Sequence, residues 1–287
     1  MTSNYIGRFA PSPTGPLHMG SMVTAVASFL DARNNGGNWL LRIEDLDPPR
    51  ESKSAPATII EQLIAHDLRW DGDILYQSSR NDAYAGALNK LLSLDLTYPC
   101  DCARKKTPAV YQGTCRNKSA DEIQSPHAFR LRLDTPEVSL VDGILGPQLW
   151  KIGSEVGDFI IKRKDGLFAY QLAVVVDDAF QHVTHIVRGA DLLDSTPRQV
   201  CLMERLHLSV PHYMHLPVVL GVSGDKLSKQ TNAAPVSNQD AAGNLKQALT
   251  ILGQSVPKAR DTITLLEEAA ANWDPNRIPK KHTVSLP

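Results

Sequence analysis

No charge of one sign dominates this chain. Thirty basic and 31 acidic side chains leave a formal net charge of −1 over 287 residues, which excludes a globally basic nucleic-acid binder and leaves any RNA contact to a local basic face. Long apolar runs are missing too: none reaches the length a bilayer requires, and the N-terminus carries no signal-peptide pattern. A cytoplasmic protein with no membrane partner is expected. Low-complexity tracts and internal repeats are absent, and 42 % hydrophobic with 21 % charged residues describes an ordinary globular chain, long enough for one large domain or two smaller ones. The glycine-rich signatures G-x-x-x-x-G-K-[ST] and G-x-G-x-x-G are lacking, so P-loop and dinucleotide mechanisms are excluded. Cysteine is scarce, yet three of the four, Cys100, Cys102 and Cys115, fall within sixteen residues. Such clustering in a cytosolic chain points to metal rather than disulfides. Cys201, among apolar residues at helical spacing, reads as a small core residue.

What is present begins with RFAPSPTGPLHMGS, Arg8 to Ser21. Pro11, Pro13 and Pro16 forbid both strand and helix here, while the Ala-rich, apolar run from Ser21 to Ala32 reads as a helix. The order is strand, stiff loop, helix start, and a helix start offers unpaired amides and a positive dipole end to an anion. Taken alone the loop is a connector. His18 and Gly20 just before the helix, and Arg8 at the strand end, suit a phosphate and a ligand instead.

Along the chain, NWLLRIEDLD predicts a second strand, followed by a helix from about Ser54 to Asp67 and another from Asn81 to about Leu94. The character then changes: YPCDCARKKTPAVYQGTCRNKS has little periodicity, and AFRLRLD and EVSLVDGILG read as short strands. AVVVDDA and VTHIVRG, apolar and β-branched, predict two parallel strands of a buried sheet. A helix over Pro197–His207, a last strand in LPVVLG, a basic loop KLSKQ and two helices after Asp240 complete the pattern, ahead of a Pro- and Lys-containing tail.

HMGS and KLSKQ together, each after a strand and some two hundred residues apart, resemble the HIGH and KMSKS motifs of class I aminoacyl-tRNA synthetases. With LRIEDLDPPR, AVVVDDA and THIVRGADLLDSTPRQ, the resemblance narrows to the glutamyl side of the glutamyl/glutaminyl branch, over roughly residues 5 to 230. The short C-terminal part, the Cys cluster and the Gln after Lys229 resemble the truncated paralogues that attach glutamate to the queuosine of tRNA(Asp). The resemblance implies an α/β fold: a Rossmann-type parallel-sheet core in two halves (1–74 and 161–225), an inserted zinc-containing α+β module (75–160), and the KLSKQ loop with a helical C-terminal region (226–287). A monomer is expected.

It also implies two-step acyl transfer, with ATP and its Mg²⁺, L-glutamate and queuosine-bearing tRNA(Asp) as partners. By resemblance, His18, Gly20 and Lys229 are catalytic, and Ser21 and Lys226 join them at the ATP. Arg8, the Phe9–Ala10–Pro11–Ser12 segment, Glu44, Tyr170 and Arg188 form the glutamate pocket. The chemistry agrees: an arginine fork suits a carboxylate, and Glu44 gives an ammonium its counter-charge. Glu44 and Arg188 also suit a structural ion pair, and Tyr170 a core aromatic. A tetrahedral zinc on the three cysteines needs a fourth ligand; general rules nominate His127, or water, while the resemblance nominates Tyr111. The zinc would be structural, bracing a module that meets RNA through Arg104, Lys105, Lys106 and Arg116 or Lys118. Two alternatives stand beside this reading: a short glutamyl-tRNA synthetase charging an acceptor end, and a synthetase-like regulator without turnover.

Overall fold

A computed structural model describes residues 5–103, 105, 107–221 and 234–286. Lys226 and Lys229, with the rest of KLSKQ, and Arg104 and Lys106 lie outside the described residues. The chain runs β1 (Ile6–Phe9), α1 (Met19–Asn34), β2 (Asn38–Ile43), α2 (Ala55–Ala65), β3 (Leu75–Tyr76), α3 (Asn81–Ser93) and β4 (Thr97–Cys100). Four strands follow: β5 (Ala128–Leu131), β6 (Glu137–Asp142), β7 (Gly146–Lys151) and β8 (Phe159–Lys162). Then come α4 (Tyr170–Phe180), β9 (His185–Gly189), α5 (Thr196–Leu206), β10 (His212–Leu216), β11 (Val218–Leu220), α6 (Ala241–Ile251), α7 (Thr262–Ala271) and β12 (Thr283–Ser285).

The core is an α/β layer of parallel strands. β1, β2 and β3 pair parallel in that order, and β9 pairs parallel with β10. Thr184 sets the second pair beside the first: its N–H donates to Ile6 O and its Oγ1 accepts from Ile6 N, both at 2.9 Å. The helix expected after the proline loop is α1. Its central residues, Met22 through Ala32 apart from Thr24, are all buried, because it lies between the sheet on one side and α6 and α7 on the other. A helix apolar all round is what a buried position selects. Between β4 and β8 the chain forms an antiparallel sheet, β4-β5-β8, and the separate hairpin β6-β7.

The expectation of a strand at AVVVDDA is overturned. These residues lie within α4, where Leu172, Ala173, Val174 and Val175 are buried together with Asp177 and Asp178. A short β-branched run reads alike for a buried strand and a buried helix, and here the apolar stretch packs against α3, α5 and β8. The partner of β9 is instead β10, within HYMHL, and the Pro- and Lys-containing tail supplies β12, which pairs parallel with β11.

Two large apolar clusters result, besides a small one around Tyr98, Cys100, Tyr111 and Cys115. One gathers Trp39, Met22 and Leu30 with Leu245, Leu265 and Trp273 of the C-terminal helices and their flank. The other gathers Tyr84, Leu131, Ile161, Leu172, Leu202 and Tyr213. The two carboxylates of α4 join these parts. Asp177 accepts from Gln77 Nε2 (2.9 Å), Tyr84 Oη (2.6 Å) and Arg80 Nε (3.0 Å), while its neighbour Asp178 faces the core arginines.

Asp31 of α1 ties the C-terminal region to the core. Its carboxylate accepts from Tyr5 Oη and, at 2.9 Å, from Trp273 Nε1, and all three residues are buried. Asp31→Ala leaves two buried donors unsatisfied, each costing about 1–3 kcal/mol. Chemical denaturation should therefore show a loss of about 2–4 kcal/mol; a loss below about 0.5 kcal/mol, the range of an ordinary surface substitution, would contradict this account.

Candidate active site

The loop between β1 and α1 is held rather than free. Glu44 N–H donates to Pro11 O (3.0 Å) and Ser52 N–H to Pro13 O (2.9 Å), so two later segments pin the prolines. Gln62 of α2 brackets Leu17, its Oε1 accepting Leu17 N–H at 2.7 Å and its Nε2 donating to Leu17 O and Val236 O. Val236 N–H returns to Leu17 O at 2.9 Å. The chain just after the undescribed KLSKQ segment is thereby fixed against the residue before His18, while the strand leading into that segment, β11, contributes Val218 and Val219 to the wall of the same cavity.

That cavity has a volume of about 750 Å³ and opens at the C-terminal ends of the parallel strands, the usual ligand position in an open α/β sheet. Arg8, Phe9, Ala10, Pro11, Ser12, His18, Gly20, Ser21, Glu44, Tyr170 and Arg188 all line it. The described residues expected to meet glutamate and ATP are therefore brought together in one space.

His18 is the N-cap of α1. Its Nδ1 accepts from Ser21 N–H at 3.3 Å, and Ser21 Oγ accepts from His18 N–H at 2.9 Å, a reciprocal capping box. An Nδ1 that accepts leaves the proton of a neutral ring on Nε2. The cap thus makes the imidazole a donor at a helix start already suited to anions.

The acid–base pocket is built on a residue the sequence reading did not single out. Asp178, 1 % exposed, takes Arg8 Nε at 3.2 Å and Arg42 Nη2 at 2.8 Å on the same oxygen. Burial opposes its charge, but the two guanidinium groups outweigh that and hold the carboxyl below the usual range. Arg42, fully buried, also reaches Gln181 Oε1 (2.9 Å) and Glu44 Oε1 (3.4 Å). Neither Arg42 nor Asp178 could have been paired from sequence, because they lie 136 positions apart and meet only through the fold. Among the described residues, both Nη groups of Arg8 have no hydrogen-bond partner, so its fork faces the cavity unspent.

Arg188 is differently placed. Its Nε donates to His215 Nε2 (3.0 Å), Nη1 to Gln199 Oε1 (2.7 Å), and Nη2 to Thr196 Oγ1 (2.8 Å) and Leu192 O (3.3 Å). Among the described residues, four of its five N–H donors are taken, leaving one Nη1–H. Tyr170, at the start of α4, lies against Gln199 and lines the same cavity.

At the end of β4 and in the chain that follows it, the Sγ atoms of Cys100, Cys102 and Cys115 lie within 4.8 Å of one another. A tetrahedral ion with bonds of about 2.3 Å to sulfur spaces its thiolates by about 3.8 Å, and Cys102 and Cys115 stand 3.5 Å apart. Tyr111 Oη is 3.5 Å from Cys100 Sγ and 3.4 Å from Cys102 Sγ, so the group present fits a metal ion. Gly157, at φ +64° with the Tyr111 backbone 2.7 Å from where its Cβ would stand, allows the close pairing that places Tyr111. Burial opposes the Cys100 thiolate, but hydrogen bonds from Tyr111 and Arg130 prevail and bring its pKa down to about 7. His127 is not part of the group; its ring packs edge-on to Phe129. Arg116, expected to face RNA, is spent internally: Nε and Nη2 each donate to the buried Asp158 at 2.6 Å, and Nη1 to Asp134 at 3.0 Å. The buried Asp158 carboxylate requires that fork, which explains the difference.

Comparison with known proteins agrees with this geometry. The family model "tRNA synthetases class I (E and Q), catalytic domain" matches residues 6–283. The chain belongs to this family and is a ligase of the class I aminoacyl-tRNA synthetase type. Proteins named glutamyl-Q tRNA(Asp) synthetase are similar to it along nearly their whole length. That of Pseudomonas fluorescens is 48 % identical over 292 residues, covering 100 % of this chain and 97 % of its own. That of Thiobacillus denitrificans is 48 % identical over 295 residues, covering 98 % and 97 %. In fold, the chain is similar to a glutamate tRNA ligase of Elizabethkingia meningosepticum solved in complex with its amino acid, with a TM-score of 0.84 at 22 % identity over 99 % of this chain and 67 % of that one. No helix among the described residues is long and apolar enough to cross a membrane.

The buried Glu44 carboxyl has a measurable consequence. Burial pushes its pKa up, and Arg42 and Arg8 only partly offset this. A carboxyl that binds its proton more readily folded than unfolded makes stability fall as pH rises from the ordinary Glu value, about 4.3, through the raised one. Glu44→Gln should therefore melt higher than wild type at pH 7.5, with the gap closing toward pH 4. A variant that melts lower at pH 7.5 would show that the Arg42 contact outweighs the cost of burial.

Proposed function

We propose that this chain activates L-glutamate with ATP as the glutamyl-adenylate and transfers the acyl group to the queuosine in the anticodon of tRNA(Asp). The observation that carries the reading is one cavity holding the unspent Arg8 fork, the buried Glu44 and the capped start of α1. A carboxylate, an ammonium and a phosphate each find a partner there. The α-carboxylate of glutamate attacks the α-phosphorus, pyrophosphate leaves, and the adenylate then gives its acyl group to an RNA hydroxyl. The protein's task is positioning and charge stabilisation.

In this mechanism Arg8 holds the side-chain carboxylate, with the Phe9–Ser12 backbone beside it. Glu44 receives the ammonium, and Tyr170 with the single available Arg188 N–H closes the pocket. His18 Nε2–H, with the Gly20 amide, faces the phosphates, and Ser21 holds the cap beside them. Lys229, with Lys226, takes the charge that builds on the phosphorus and the departing pyrophosphate. The chain on both sides of these lysines is tied to the cavity, by β11 before and Val236 after, and this supports the assignment. The choice of RNA rests on the names of the relatives.

We further assign Cys100, Cys102, Cys115 and Tyr111 to a structural Zn²⁺. When bound, the ion would cross-link the ends of the Cys100–Cys115 segment and lower the pKa of the phenol that ligates it. Metal analysis should return about one zinc per chain, lost in Cys102→Ser with glutamate activation retained. Full zinc content in a Tyr111→Phe variant would remove Tyr111 from the ligand set.

The RNA is tested with labelled glutamate offered to tRNA(Asp) with and without queuosine and to tRNA(Glu). Label is expected on queuosine-bearing tRNA(Asp) alone, surviving removal of the terminal adenosine. Label on tRNA(Glu), or its loss with that adenosine, would make the protein a short glutamyl-tRNA synthetase.

A further inference from the structure

Behind Arg188 stands a chain of buried groups that begins in the hairpin of the inserted region. Asp142, at the end of β6 and 2 % exposed, is saturated with donors. Its Oδ1 accepts the N–H groups of Ile144 (3.0 Å), Leu145 (2.9 Å) and His215 (3.2 Å), and its Oδ2 lies 2.6 Å from His215 Nδ1. His215, on β10, is wholly buried. Its other nitrogen, Nε2, lies 3.0 Å from Arg188 Nε and 3.2 Å from Thr196 Oγ1.

A guanidinium has donors only and does not lose its proton, so the Arg188 contact requires a bare lone pair on Nε2. Thr196 agrees with this: its hydroxyl accepts from Arg188 Nη2 and has its own proton left for Nε2. Asp142 enforces the same tautomer from the opposite side. We propose that Asp142 and His215 are positioning residues for the amino-acid pocket: Asp142 fixes the proton of His215 on Nδ1, and the bare Nε2 then aims the Arg188 guanidinium so that its one uncommitted N–H faces the substrate.

The inference rests on the glutamate reading above and adds two residues to it. The other groups around His215 fit the neutral ring. Tyr213 lies parallel to it with ring centroids 5.8 Å apart, Asp191 follows β9, and burial together with Arg188 holds the imidazole pKa below its usual value against the pull of Asp142. The Gly143 N–H, donated to Tyr213 O at 2.9 Å, seats the hairpin turn on β10 and keeps Asp142 in reach.

The test is glutamate-dependent ATP–pyrophosphate exchange by the full chain with queuosine-bearing tRNA(Asp) present, reading KM for glutamate, KM for ATP and kcat separately. His215→Leu should raise the glutamate KM about tenfold or more, the loss of one hydrogen bond to a charged group, and leave the ATP KM within about twofold. His215→Gln keeps one donor and one acceptor on a short arm and should recover most of the loss. Asp142→Asn, which leaves the core filled, should raise the glutamate KM severalfold and serves if His215→Leu does not fold. An unchanged glutamate KM in these variants, or equal rises in both KM values without rescue by Gln, would overturn the proposal. Nitrogen NMR of the wild-type His215 ring gives a readout independent of substrate: a protonated Nδ1 and bare Nε2 are expected, and the opposite tautomer overturns the positioning role. Absence of glutamate-dependent exchange in the wild type overturns the functional reading instead.

Discussion

One carboxylate shared by two arginines underlies the site. Asp178 lies between Arg8 and Arg42 with almost no solvent contact, and removing it would take the paired carboxylate from Arg8 and leave Arg42 only Glu44 at 3.4 Å. Burying such a cluster is expensive, and its geometry must be good for the fold to tolerate it. The gain is preorganisation. Arg8 is oriented through its Nε, which leaves the Nη pair aimed at the cavity, and Arg42 stands behind Glu44 without neutralising it fully. The cost of placing charge is met on folding, so binding has less reorganisation to drive.

The two arginines of the pocket solve different problems. Arg8 keeps its fork open, whereas Arg188 is almost saturated by neutral acceptors from α5, β10 and a backbone carbonyl. A planar guanidinium so fixed cannot swing to follow a misplaced ligand. The region of the β4-β5-β8 sheet repeats the pattern around Asp158, where Arg116 and Tyr98 converge on a carboxylate. In both places a buried acid organises the basic side chains around it.

Sequence patterns were most legible where chemistry is local. The proline loop, the start of α1 and the three clustered cysteines could be read because each depends on neighbours within a few residues. α4 could not be read, because its short β-branched run satisfies a strand pattern as well as a helix. The partners that orient the site were out of reach for a related reason. Asp178, Arg42, His215 and Asp142 come from α4, β2, β10 and β6, and no spacing in the chain announces that they meet. Tyr111, which lies beside the sulfurs of Cys100 and Cys102, was named by family resemblance alone, since the general preference for a histidine ligand favours His127. Arg116 looked like an exposed cation because nothing local reveals that Asp158 lies behind it.

Asp177 and Asp178 are adjacent on one turn of α4, yet they serve different parts of the molecule. The first holds Gln77, Arg80 and Tyr84, and the second holds Arg8 and Arg42. A helix turn has no soft dihedral to spare, so this junction behaves as a rivet and not as a hinge. Rotating the α3 side against β1 and β2 far enough to part these partners would break charged hydrogen bonds away from water, at a cost of several kcal/mol. Rearrangements during the catalytic cycle must therefore arise in segments that carry neither carboxylate. A force applied to the α3 side would reach the cavity lined by Arg8 and Glu44 through α4 with little lost to deformation on the way.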